Sequence, residues 1–455
     1  MTRYFGMALV ALLVGCAGRS GLEASTMGWI RVETEDLVIR TDVGREKAVR
    51  LAASYQRLRT AIAENELPCA FERSNVPMEF VLLKDPRDIE DLAGRHTAGF
   101  SARPPSSYLD AKLQLVMDSR QAAIDSQLFV HELTHGAVAI CFPGGRPWLH
   151  EGMASFYETA RIDGGELILG MPAYGFVPMT NVEPMFDIYP VRANGAEVWT
   201  YLTRLARGDD EDKAWAGAFA GVDVASRCRD YLDVEYKMGG RAISVAAPRQ
   251  PTVHPMSQLD VALLRSRLYA WRSEEGAKAA LEYLELAASK DPSASNVMLH
   301  KAALHLEAGR EQEGWAWLER AIEQASADPQ VAATAVLWFA GKDGAASERA
   351  RLDAWARTLR VSAQTAFQLA ALGEYFVRVA EDPSSGFESL QRSLTLDATS
   401  WRTYALMGEA LAELGEPAKA KQAYYTAIAL TGHGSRQLRD SLKQRIHELD
   451  RPENR

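Results

Sequence analysis

Two histidines separated by three residues, with a glutamate directly after the first, form the most informative pattern in the sequence. The segment reads His131-Glu132-Leu133-Thr134-His135. Residues four apart project from one face of a helix, so both imidazoles can reach a single ion. Zn²⁺ accepts histidine nitrogens, and a catalytic zinc site needs a third protein ligand and an open position for water. Glu132 lies where a general base for that water is required.

A second motif follows along the chain, where residues 147–158 read PWLHEGMASFYE. Here the sequence resembles gluzincin metallopeptidases, in which HExxH is followed by a downstream glutamate ligand. It looks closest to the peptidase-MA-like family and to membrane alanyl aminopeptidases, whose second helix begins with WLxEG. Trp148, Leu149, Glu151 and Gly152 match that motif. The resemblance makes Glu151 the third metal ligand and implies that Gly152 lets the two helices approach closely.

The resemblance spans roughly Trp29 to Tyr236 and implies one Zn²⁺ per chain, held by His131, His135 and Glu151. The implied substrate is a peptide or protein, and we expect no other cofactor. Glu132 would take a proton from the attacking water and deliver it to the leaving amine.

The predicted strand Leu113–Met117 precedes the HExxH helix, as the substrate-binding edge strand does in this clan, and it could pair with an extended peptide. It lacks the GxMEN-like motif with which aminopeptidases grip a free amino terminus. Endopeptidase activity is therefore favoured over aminopeptidase activity.

The residue that helps to hold the oxyanion is not given by a motif. Related enzymes usually supply a Tyr or His from a later segment, and Tyr189 is our candidate for this catalytic role. The register of related families would place Arg192 there, and Tyr174 and Tyr201 remain alternatives.

Three residues of the second motif are not expected to contribute directly. His150 adjoins a ligand but points off the metal face, so we interpret it as a rim residue. Glu158 lies two turns beyond Glu151 and is expected on a solvated helix face, with support of a metal ligand from behind as the alternative. Ser155 occupies the position at which thermolysin-like relatives carry an acidic residue that orients a histidine.

The elements that position these residues mix strands and helices, which predicts an α+β, zincin-like domain. Predicted strands are two within Trp29–Thr41, then Met78–Leu83, Leu113–Met117 and a hairpin over Ile162–Leu169. Predicted helices are Glu46–Glu64, Ile124–Ile140, Trp148–Ala160, Ala193–Ala206, Lys213–Phe219 and Ala225–Tyr236.

The C-terminal part of the chain is rich in Ala and Leu and repeats with an offset of 34 residues. This period resembles that of tetratricopeptide repeats and predicts an all-α solenoid whose groove could hold a protein partner. The predicted units are Val261–Lys290, Ser295–Asp328, Pro329–Arg360, Thr365–Leu396 and Trp401–Leu430, with a closing helix at Arg436–Leu449. A non-repetitive helical bundle is the alternative.

The N-terminus has the pattern of an export signal. Arg3 precedes a short apolar stretch that ends in Leu13-Val14-Gly15-Cys16, which resembles the bacterial lipobox. It implies lipidation at Cys16 and a membrane anchor made of acyl chains. Because Ala17 rather than Asp follows, the resemblance favours the outer membrane, facing the periplasm. An ordinary secretion signal is the alternative.

The predicted organisation follows from these segments. It comprises a signal peptide (1–15), a lipidated tether (16–28), the metallopeptidase domain (29–238), a Gly- and Pro-containing linker (239–258) and the repeat domain (259–450). Export implies an oxidising compartment, in which Cys69, Cys141 and Cys228 can form one disulfide of undetermined pairing.

The 455-residue chain has a net charge of −9 and no clustered basic stripe, so nucleic acid is not an expected partner. We interpret the protein as a lipid-anchored zinc metallopeptidase whose repeats recruit substrate or a partner. The alternatives are a non-catalytic envelope scaffold acting through its repeats and a zinc hydrolase acting on another amide.

Overall fold

A six-stranded mixed sheet forms the centre of the N-terminal part of the chain. The structure is a computed structural model that describes residues 22–35, 37–65, 78–93, 99–102, 109, 114–120, 127–141, 147–163, 165–169, 195–206, 211–224, 226, 241–245, 250–270, 274–340, 348–430 and 436–449. The strands are β1 (Ile30–Glu33), β2 (Leu37–Thr41), β3 (Met78–Leu83), β4 (Gly99–Ala102), β5 (Gln114–Asp118), β6 (Arg161–Asp163), β7 (Glu166–Leu169), β8 (Arg241–Ser244) and β9 (Thr252–Pro255). The helices of this part are α1 (Arg45–Asn65), α2 (Pro86–Ala93), α3 (Gln127–Cys141), α4 (Pro147–Tyr157), α5 (Gly195–Ala206) and α6 (Glu211–Ala218).

The strand order of the large sheet is β4-β5-β3-β2-β1-β9. Strands β2, β3 and β5 run parallel to one another, whereas β4, β1 and β9 each pair antiparallel with their neighbours. All six residues of β3 are buried, as expected for a central parallel strand that is covered on both faces.

The assignment of Leu113–Met117 as the edge strand is wrong. Strand β5, which occupies this position, is paired on both sides, with β3 and with β4. Among the described strands, β4 is the terminal one at this end of the sheet. The edge cannot be read from the order of the strands in the chain. Strand β4 comes before β5 in the chain, but in the sheet it lies on the outer side of β5 and forms the edge.

Helices cover both faces of this sheet. On one face, Phe80, Leu115 and Met117 pack in a core with α1 and α3. On the other face, Val81, Leu83 and Val116 pack with residues of α2 and of the later helix α7 (Gln258–Tyr269). The first helix of the C-terminal part therefore belongs to the core of the sheet.

The segment assigned to a linker contributes to both sheets, which corrects that assignment. Strand β8 joins β6 and β7 in a three-stranded sheet, and β9 pairs with β1. Pro255 is compatible with this pairing because it ends a strand at a sheet edge. The predicted hairpin over Ile162–Leu169 is confirmed as β6 and β7, with Gly165 at φ +90° in the turn.

Helix pairs follow, in agreement with the predicted units. They are α7 with α8 (Glu274–Lys290), α9 (Ser295–Glu307) with α10 (Glu311–Gln324), α11 (Pro329–Phe339) with α12 (Arg349–Ser362), α13 (Ala366–Arg378) with α14 (Pro383–Leu396), and α15 (Trp401–Glu413) with α16 (Pro417–Leu430), before α17 (Arg436–Glu448). Local sequence defines their starts, since Thr365 and Gln368 form a capping box at α13. A methyl group at Gly408 would come within 2.6 Å of the Tyr424 ring, which explains why the contact between α15 and α16 requires a glycine there.

Residues 22–28 of the predicted N-terminal tether are described, and they contact the first helix pair. Residues 22–25 form a helical turn, and Leu22 packs against the core of α7 and α8. Ser25 Oγ lies 3.2 Å from the Tyr283 hydroxyl, and Lys290 donates to Glu23 at 2.9 Å. The described part of the predicted tether is therefore docked onto the first helix pair. Cys16 and the predicted signal peptide lie outside the described residues.

Within the part of the chain that the structure describes, no helix is both long and apolar enough to cross a membrane. Cys141 is disulfide-bonded, and Cys16, Cys69 and Cys228 lie outside the described residues. The predicted helix Ala225–Tyr236 also lies largely outside them.

Candidate metal centre

Helix α3 is held by its aromatic and aliphatic face, which leaves the histidine face directed away from the sheet. Phe129 stacks on Tyr55 of α1, with ring centroids 3.4 Å apart, and lies 5.1 Å from the Phe80 ring of β3. Val130 and Leu133 are buried in the same core. His131 and His135 are only partly buried, as their position on the opposite side of the helix requires.

Helix α4 packs against α3 and brings the second motif to the histidines. Met153 and Tyr157 are buried in the core that also contains α3 residues, and Gly152 is buried as well. These contacts leave Glu151 with a half-exposed side chain, 47% accessible, at the opening of the site.

The three residues identified as ligands converge on one point. His131 Nε2 lies 3.1 Å from His135 Nε2 and 3.4 Å from Glu151 Oε2. His135 Nε2 lies 3.6 Å from Glu151 Oε1. Ligand atoms about 2.1 Å from a tetrahedral zinc are about 3.4 Å from one another, so these separations match a zinc coordination shell. Among the described residues, this is the one group of His, Cys, Asp and Glu with such an arrangement.

Glu158 orients His131, which corrects its assignment to a solvated face. Its Oε2 lies 3.2 Å from His131 Nδ1. A carboxylate only accepts hydrogen bonds, so Nδ1–H donates and the lone pair of Nε2 points into the centre. The sequence spacing indicates this role, because residues seven apart return to the same face of a helix. Glu158 is therefore expected on the same face as the ligand Glu151. The residue that orients His131 thus lies three positions after Ser155.

The charges of the centre are strongly coupled. Burial acts to lower the pKa of His131, but hydrogen bonds with Glu151 and Glu158 outweigh it and raise the pKa to about 9. Burial lowers the pKa of His135 to about 4. The hydrogen bond with His131 holds the pKa of Glu151 below its usual value. Without a metal these shifts favour a second proton on His131, at Nε2, and a bound cation would compete with that proton for the nitrogen lone pair.

Glu132 and His150 flank this group. Glu132 is buried next to His131 on α3. His150 is not part of the ligand group. The rings of His150 and His135 are nearly parallel, with their centroids 6.5 Å apart and an angle of 21° between their planes.

The oxyanion residue stays a prediction. Tyr189, Tyr174 and Arg192 lie outside the described residues. Tyr201 is fully buried, and its ring lies 6.1 Å from Trp215. Its hydroxyl is therefore closed to a substrate, which removes Tyr201 from the alternatives.

Two imidazole nitrogens and one carboxylate oxygen form a donor set that suits Zn²⁺. The separations of these donors and the support of His131 by Glu158 fit the same ion.

In comparisons with known proteins, the chain matches no protein-family model and no curated protein. The functional argument therefore depends on the geometry of this centre.

Proposed function

We propose that the protein is a zinc-dependent metallopeptidase. The observation that supports this proposal is the convergence of His131, His135 and Glu151 at separations of 3.1–3.6 Å. Glu132, adjacent to a ligand and intact, supplies the base that a structural zinc site would not require.

Each residue of the site has a separate role in the proposed hydrolysis. Bound zinc would supply a Lewis acid for the scissile carbonyl and for the attacking water. Glu132 takes the proton of the water and returns it to the leaving nitrogen as the C–N bond breaks. Glu158 keeps His131 in the tautomer that binds, and the α3–α4 packing holds the carboxylate of Glu151 in place.

Strand β4 is the edge that we propose for substrate pairing, in place of β5. A methyl group at Gly99 of β4 would lie 3.4 Å from the Leu128 side chain, one turn before His131. An extended peptide added to β4 would therefore lie beside the metal helix.

The proposed setting is the bacterial envelope, with the chain anchored through lipid at Cys16. The disulfide of Cys141 supports an oxidising compartment. The five helix pairs from α7 to α16 are proposed as tetratricopeptide-like repeats that recruit a substrate or a protein partner.

Metal content of residues 17–455, purified after zinc reconstitution and dialysis, tests the proposal. We expect about one zinc per chain in the parent and in Glu132→Ala, and a large loss in Glu151→Ala. Cleavage of a casein-derived peptide mixture should then be present in the parent and absent in Glu132→Ala. A parent that holds no zinc would refute the metallopeptidase.

A non-catalytic envelope scaffold is the second candidate. It is favoured by the extent of the helix pairs, which cover most of residues 258–448. Zinc binding without any cleavage that depends on Glu132 would support this candidate.

A further inference from the structure

His150 lies beside the ligand group without belonging to it. It directly precedes Glu151 and is partly exposed. Its ring lies nearly parallel to that of His135, at a centroid separation of 6.5 Å. No described residue forms a hydrogen bond with this imidazole, whereas His131 is engaged on both ring nitrogens.

An imidazole keeps at least one N–H donor in either protonation state. A donor beside the ligand group, with no hydrogen-bond partner among the described residues, is available to a group that arrives there. The oxygen of a scissile carbonyl gains negative charge as water adds to its carbon, and a nearby N–H stabilises that charge. Tyr201 is buried away from the solvent, so its hydroxyl does not supply this donor.

We propose that His150 is a catalytic residue that donates a hydrogen bond to the carbonyl oxygen of the substrate as charge develops there. The inference rests on the proposed function. In the addition step, the water oxygen bonds to the carbonyl carbon and a water proton passes to Glu132. The π electrons of the carbonyl move to its oxygen, where the N–H of His150 meets them.

The probe is acetohydroxamate, which presents two oxygens to a metal and places one where a peptide carbonyl would lie. Residues 17–455 are loaded with Co²⁺, and the visible spectrum reports the binding of the hydroxamate. His150→Phe keeps a ring beside His135 but lacks the donor, and His150→Gln keeps a donor. His254→Phe, at an exposed histidine on β9, is the matched control.

All variants should bind one cobalt per chain. We expect His150→Phe to weaken hydroxamate binding about tenfold or more, and His150→Gln and His254→Phe to stay within about threefold of the parent. If His150→Phe does not fold, as judged by circular dichroism, His150→Leu replaces it.

The outcomes separate the two proposals. If His150→Phe binds the hydroxamate as tightly as the parent, His150 acts only through its ring packing, or not at all, and this inference is overturned. If the parent takes up no metal, the proposed function falls and this inference falls with it.

Discussion

Removing the carboxylate of Glu158 should weaken zinc binding although Glu158 is not a ligand. The carboxylate lies 3.2 Å from His131 Nδ1 and fixes both the tautomer and the ring orientation. Loss of such a partner typically costs 10- to 100-fold in metal affinity, which corresponds to about 1.4–2.7 kcal/mol. Because the Glu158 side chain is 24% accessible, water can replace it as acceptor. We therefore expect Glu158→Ala to lose about tenfold in affinity.

The loss should depend on pH in a defined direction. Burial opposes protonation of His131, but its hydrogen bonds with Glu151 and Glu158 raise its pKa to about 9. At pH 7 zinc must therefore displace a proton from His131. Glu158→Ala lowers this pKa and weakens the competition by protons. The lost affinity should consequently be larger at pH 9 than at pH 7.

Competition against a chromophoric chelator at both pH values measures the affinities. Glu158→Gln keeps an acceptor without the charge and should lie between the parent and Glu158→Ala. Glu166→Gln, at an exposed glutamate of β7 that is not among the described contacts of His131, removes the same charge and should bind zinc as the parent does. Equal affinities for Glu158→Ala and Glu166→Gln would refute the role of Glu158.

Three further predictions concern stability. Asp88→Ala should cost about 3 kcal/mol in urea unfolding, because it leaves the guanidinium of Arg265, only 3% accessible, without the carboxylate it contacts at 2.8 Å. Gly408→Ala should cost about 1–3 kcal/mol in thermal unfolding, since the added methyl group meets the Tyr424 ring at 2.6 Å. Burial lowers the pKa of His300 to about 3. The unfolded chain binds that proton from about pH 6.5 downward, so His300 should reduce stability by about 2 kcal/mol at pH 5 relative to pH 7.5, and His300→Gln should lack this part of the acid sensitivity.

Each of these predictions has a control. The exposed Asp91→Ala on the same helix should change stability by less than about 0.5 kcal/mol, and an equal effect of both aspartates would contradict the buried ion pair. Adding Tyr424→Leu to Gly408→Ala should recover part of the stability that the single variant loses. If the stability losses of the two substitutions simply add, a clash between the methyl group and the ring is excluded as the cause. The exposed His254→Gln should keep the acid sensitivity of the parent, and a profile identical to that of His300→Gln would contradict burial as the reason.

Much of the local structure could be predicted because it depends on short spacings. The strand Met78–Leu83, the β6–β7 hairpin and the helix pairs follow from hydrophobic periodicity, turn glycines and caps. The edge strand could not be predicted in this way, since β4 and β5 reverse their chain order in the sheet. The linker was misjudged for a related reason, because the pairing of β9 with β1 joins residues more than 200 positions apart.

By itself, the sequence determined the metal-binding motif. The four-residue spacing of His131 and His135 places both on one face of any helix, and the resemblance added Glu151. Only the tertiary structure decided how these residues meet, since the packing of α3 on α4 brings Glu151 within 3.6 Å of both histidines and Glu158 behind His131. It also decided that α7 covers the sheet, where Arg265 contacts Asp88 from 177 residues away. Helical periodicity acts within one segment, whereas these contacts depend on the burial of apolar faces that are distant in the chain.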